Sequence, residues 1–175
     1  LNGSEMVSNT PYSRRAFIKR AIAASTMVSG SASIARPLKA SVQQATGIGA
    51  LDHVAIPIQR VEEMVAFYQA LGFVVKETER RVSIHFGDQK INFHRPSSWQ
   101  SGTGLRAPAA VPPCGDFCWV WEGTREALVA VLDRAHAEIE SEGERDGGRG
   151  GGNTRGQSIY VRDPDGNLLE FMRYL

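Results

Sequence analysis

The sequence predicts an α+β domain built from two βαβββ repeats, whose strands form a curled mixed sheet around a central cavity with the helices outside. Three observations lead there. A β-branched-rich strand is followed by a helix-spaced apolar stripe and three more strand-like pieces; after a linker, strand and helix return in the same order; and the chain closes on a hairpin whose last strand resembles the last strand of the first repeat.

The first repeat occupies residues 50–95. In the strand expected at 51–58, His53 falls on the face opposite Val54 and Ile56, because successive side chains on a strand alternate. Val61, Met64, Val65, Tyr68 and Leu71 then recur at helical spacing, and Gly72 stands where a left-handed cap ends a helix. Strands are expected at 73–78, 81–86 and 90–95, the last two joined by Gly87-Asp88.

A linker containing Pro, Gly and Ser, 96–113, leads to the second repeat at 115–175. Its strand is expected at 116–121. Thr124 is placed to cap the next helix, with Glu126 in the first turn, and Leu128, Val131, Leu132, Ala135 and Ile139 make the buried stripe. A strand-like piece at about 139–145, a glycine-rich loop at 147–156 and a closing hairpin complete the unit. Asp163-Pro164-Asp165-Gly166 supplies the hairpin turn between strands at 158–162 and from Asn167 onward. In the final strand Leu169 and Phe171 share one face, which sets Glu170 and Met172 on the other.

The 175 residues carry a net charge of +1 and 42% apolar side chains, enough for one packed domain. The charge is uneven. Six Lys or Arg and no acid fall between Met6 and Ala40, whereas the chain from Ser41 onward holds 14 basic and 18 acidic residues. The body is therefore near −4, with no phosphate-binding stripe, so nucleic acid is not an expected partner.

Residues 1–40 read as an address, followed by a linker at 41–49. Ser13-Arg14-Arg15-Ala16-Phe17-Ile18-Lys19 precedes a mildly apolar run at 21–35 that holds five Ser or Thr. That run is too short and polar to span a bilayer, which takes about 20 apolar residues. It resembles a twin-arginine export signal, which implies a periplasmic or secreted protein with no stable membrane association after processing. Cys114 and Cys118 would then meet an oxidising compartment; their spacing on a strand keeps them about 13 Å apart, so two free thiols are expected.

A shift of 63 positions lays His53 on Asp116, Ala55 on Cys118 and the first helix on the second; matching the final strands lays Asn92 on Glu170. Facing sheets would bring these four polar residues together. This pattern, with the C-terminal Asp163-Pro164-Asp165-Gly166-Asn167-Leu168-Leu169-Glu170, resembles the vicinal oxygen chelate superfamily over residues 50–175. Residues 89–94, 116–118 and 158–167 look most like the glyoxalase domain-containing protein 5 type.

The resemblance implies a divalent metal (Zn, Ni, Mn or Fe) held by His53, His94, Asp116 and Glu170, with Glu170 as the catalytic carboxylate. Imidazole and carboxylate donors suit these ions. Two positions depart from the family pattern: Asp116 stands where many members have His, and Asn92 where many have Glu or Gln, with His94 two residues on along the same face. Asn92, His85 and Arg162 are the candidates for contact with a small-molecule substrate. His85 shares its face with Arg81 and Ser83, as a pocket residue or on an exposed edge, and the parity of its strand leaves the facing of Arg162 open. The implied activity is a glyoxalase-type lyase or isomerase; the alternatives are an Fe(II) ring-cleaving dioxygenase and a metal-free sequestering protein of the bleomycin-resistance type. A homodimer is expected.

Overall fold

The computed structural model describes residues 47–102 and 106–174. The export segment and residues 41–46 of the expected linker lie outside the described residues. The elements run β1 (His53–Pro57), α1 (Val61–Ala70), β2 (Val74–Glu77), β3 (Arg81–Phe86), β4 (Gln89–His94) and a one-turn α2 (Pro96–Trp99). They continue with β5 (Asp116–Val120), α3 (Arg125–Arg134), β6 (Ile139–Gly147), a tight turn α4 (Arg149–Gly152), β7 (Thr154–Arg162) and β8 (Leu168–Arg173).

Each repeat makes its own four-stranded mixed sheet, in the orders β1-β4-β3-β2 and β5-β8-β7-β6. The strand that opens a repeat lies parallel to the one that closes it, and the helix makes the crossover that parallel pairing needs. The two sheets are separate and not closed on each other. Both helix-bearing faces contribute to one hydrophobic cluster: Ile84 and Phe93 from the first sheet, Val161 and Leu169 from the second, Met64 and Tyr68 from α1, and Leu132 from α3. The opposite faces are open, with His53, Ala55, Asp116, Cys118 and Val120 exposed.

Local chemistry follows the sequence closely at the helix ends. Thr124 Oγ accepts from the Ala127 N–H at 3.2 Å, and Gly72 has φ +96. Two local readings change. Ile139 fits the helical stripe, but α3 stops at Arg134; the chain turns through His136 at φ 53, and Ile139 opens β6. The glycine-rich loop is shorter than expected: residues 148–153 make the turn, while Gly147 and residues 154–156 already pair in the β6–β7 ladder. Only the turn needs glycine for its backbone, with Gly150 at φ 62 and Gly151 at φ 70. Gly156 serves a different end: a Cβ there would meet Met172 Cγ at 2.8 Å.

The Asp163–Asn167 turn does more than reverse the chain. Asp163 is buried and accepts from the Tyr68 hydroxyl at 3.0 Å and from the backbone and side-chain N–H groups of Asn167, both at 2.8 Å. Asn167 Oδ1 in turn accepts from the backbone N–H of Cys114 and Gly115. Asp165 takes the backbone N–H groups of Gln59 and Arg60 at 2.6 and 2.8 Å, so a carboxylate from the second repeat holds the two residues that lead into the first helix. The motif ties the two repeats together.

Candidate functional site

His53 and Asn92 lie on the open face of the first sheet. Ala55 pairs with Asn92 across the ladder, and His53 pairs with Lys90, which makes His53 and Asn92 diagonal neighbours. Asp52 Oδ1 contacts His53 Nδ1 at 2.5 Å, which orients the ring. Asn92 is buried at 6% exposure, and its Oδ1 has no hydrogen-bond partner among the described residues. Leaving such an acceptor unpaired costs on the order of 1–3 kcal/mol, so this oxygen calls for a donor or cation.

The second sheet repeats that geometry. Asp116 pairs with Leu168 and Cys118 with Glu170, so Asp116 and Glu170 are diagonal neighbours in the same sense. Tyr160 faces Glu170 from the other side of the ladder. Ser158 Oγ donates to Glu170 Oε1 at 2.5 Å. Burial, then the nearby Glu170 and Asp116 carboxylates, pushes the Cys118 thiol up to about 12. Burial and Glu170 likewise raise the Tyr160 hydroxyl, whose ring carries the Arg145 guanidinium 5.4 Å from its centroid. Both cysteines are free thiols.

The remaining candidates are placed differently. His94 pairs with Pro57 and Arg81 at the far end of β4. That is four residues, or about 13 Å, along the strand from the partner of His53. Burial and the Arg81 and Arg80 charges hold its pKa down. A set made of His53, His94 and Glu170 is therefore not assembled within one chain, and among the described residues no three His, Cys, Asp or Glu side chains converge as a metal site. Asn92, not His94, is the fourth-strand residue beside His53.

His85 lies on the open face, two places across from His53 with Lys90 between them. Its Nε2 is 3.1 Å from Ser83 Oγ, and burial with Lys76 and Lys90 lowers its pKa, favouring neutral imidazole. Arg162 is engaged: Nε bonds Glu140 at 3.0 and 3.2 Å and Nη1 donates to the Gly166 carbonyl, so it braces the hairpin end. Trp119 and Phe171 stack on the helix-bearing side, as their alternation with Cys118 and Glu170 requires.

Ser158, Tyr160 and Lys90 did not stand out in the sequence. The signal for the first two was present: counting back from the hairpin turn sets Arg162 on Leu168 and Tyr160 on Glu170, with Ser158 one step further along the same face.

The family model of the Glyoxalase/Bleomycin resistance protein/Dioxygenase superfamily matches residues 50–171. The chain is 32% identical over 142 residues to the glyoxalase domain-containing protein RDO1 of Mycosarcoma maydis, covering 79% of this chain and 76% of that one. It is also similar to virulence protein STM3117 of Salmonella typhimurium, whose crystal structure superposes with a TM-score of 0.63 at 30% identity, covering 73% of this chain and 98% of that chain. An integron cassette protein from V. cholerae gives a TM-score of 0.64 at 26% identity, covering 75% and 100%. With a family model spanning both βαβββ repeats and a curated relative matched over most of both lengths, this chain belongs to the glyoxalase/bleomycin resistance protein/dioxygenase superfamily.

Proposed function

We propose that the chain is a glyoxalase-type, divalent-metal-dependent enzyme that moves a proton on a small oxygenated substrate, at a site completed by a second copy of the chain. The observation behind this is the pair of matched half-sites. His53 with Asn92 and Asp116 with Glu170 occupy equivalent diagonal positions on two open sheet faces, and neither pair alone can hold an ion. A homodimer that lays the first sheet of one protomer over the second sheet of its partner unites them.

The donors suit a borderline divalent ion. An imidazole oriented through Nδ1 by a carboxylate is the arrangement usual in metal-ligating histidines, and Asn92 Oδ1 is a buried acceptor without a partner. His53, Asn92, Asp116 and Glu170 would hold the metal, which when bound polarises adjacent substrate oxygens. Glu170 takes and returns the proton; Ser158 fixes Oε1, which aims the other oxygen at the open face. Cys118 stays a protonated thiol beside it and does not compete as a nucleophile. Neutral His85 can accept a hydrogen bond from a substrate hydroxyl. The match of residues 50–171 to the Glyoxalase/Bleomycin resistance protein/Dioxygenase superfamily supports this reading. The distance of His94 from His53 disfavours the two-His, one-carboxylate set of an Fe(II) dioxygenase.

Protein purified without chelator should carry about one ion per site by elemental analysis. His53→Ala and Glu170→Gln should each lose the ion. Co-expressed, they should regain roughly a quarter of the wild-type capacity, because a mixed dimer has one intact site and one doubly altered site. No recovery in a dimeric mixture rejects the shared site. A metal-free wild type rejects the enzyme reading and leaves small-molecule sequestration.

Residues 1–40 we read as a twin-arginine signal that exports the folded domain, on the strength of Arg14-Arg15 and the short polar-apolar run after it. Arg14→Lys with Arg15→Lys should hold a fused reporter inside the cell; undiminished export argues against this route.

A further inference from the structure

A cleft of about 1150 Å³ opens between the repeats, bounded by the ends of α1, β2 and the β3–β4 turn on one side and by β5 on the other. Its walls are aromatic. Phe73 lies 5.2 Å and Phe86 6.1 Å from the Trp119 ring, and Trp121 stands beside them. Two carboxylates, Asp52 and Asp88, line it, and no lysine or arginine does. Val74, 60% exposed, lies on the wall of this cleft, an apolar side chain left facing water.

These features select one ligand chemistry. Ring faces carry negative potential and attract a cation lying over them, and two carboxylates with no lysine or arginine on the lining add to that field. Apolar walls of this extent penalise small, strongly hydrated ions but cover a ligand with hydrocarbon bulk. Lys90 influences Asp52 and His85 from outside and does not line the cleft. We propose that the cleft binds hydrophobic organic cations. The proposal does not depend on a metal at the sheet faces.

Tetraphenylphosphonium and tetraphenylborate share a shape and differ in the sign of their charge. Titrated into the full chain by calorimetry and tryptophan quenching, the phosphonium should bind about tenfold or more tightly than the borate. Val74→Arg places bulk and positive charge in the cleft from an exposed position, and circular dichroism checks that the fold survives. It should weaken phosphonium binding by at least about tenfold, and Asp88→Asn by about threefold. Equal or tighter borate binding overturns the charge argument. Absence of quenching, or unchanged affinity in Val74→Arg, overturns the cleft as the site.

Discussion

Glu170 interrupts an apolar strand, and its neighbours decide what its carboxylate can do. Ser158 donates to one oxygen while Cys118 and Tyr160 flank the group across the ladder. Such contacts orient a ligand, and losing one typically costs 10–100-fold in metal affinity. Ser158→Ala is therefore expected to weaken metal retention by about tenfold against a competing chelator, with the fold unchanged; equal retention would show that the hydroxyl does not position the carboxylate. The same neighbourhood predicts slow thiol chemistry. Cys118 should be alkylated more slowly than Cys114, and Glu170→Gln should speed it, because the substitution removes the second cause of the raised thiol. Mass mapping of the two peptides reads both outcomes.

The hairpin turn shows how one short element can organise a fold. Asp165→Ala removes the carboxylate that holds the entry to α1 and should cost about 1–3 kcal/mol in denaturant unfolding. Tyr68→Phe removes one of three donors to Asp163 and should cost about 1 kcal/mol. Values near zero would mean that the turn does not couple the repeats. Burial raises the Asp163 carboxyl despite its hydrogen bonds from Asn167 and Tyr68. A raised acid binds its proton more readily when folded, so its contribution is complete below the unfolded value of 3.8 and declines as pH rises through the folded value. Measured against Asp163→Asn, which cannot titrate there, the wild type should gain relative stability as pH falls towards 3.8. The opposite slope would contradict the burial argument.

At the scale of the molecule, one core serves both repeats. Phe93, Tyr68, Leu132 and Leu169 belong to a single buried cluster, so neither repeat has an interior of its own. Leu132→Ala should cost about 3 kcal/mol, and fluorescence and circular dichroism should report one coincident transition. Two separable transitions would show that the repeats fold independently. Because the helix-bearing faces are spent on this core, the polar faces remain for a second copy, which is why the proposed site requires a dimer.

Periodicity, turn residues and internal repetition were enough to read the α+β class, the duplicated unit and the limits of β3 from the chain itself. Each depends on contacts between residues near in sequence or on strict alternation along a strand. The facing of Glu170, His53 and Asn92 was legible for the same reason. What the sequence left open was set by packing across the repeats. His94 shares a face with Asn92 but lies a strand's length from His53, Arg162 is taken by Glu140, and Asp163 and Asp165 act as ties to α1. Those outcomes depend on which elements meet after the chain collapses, and partners from 22 to 106 residues apart leave no local pattern to read.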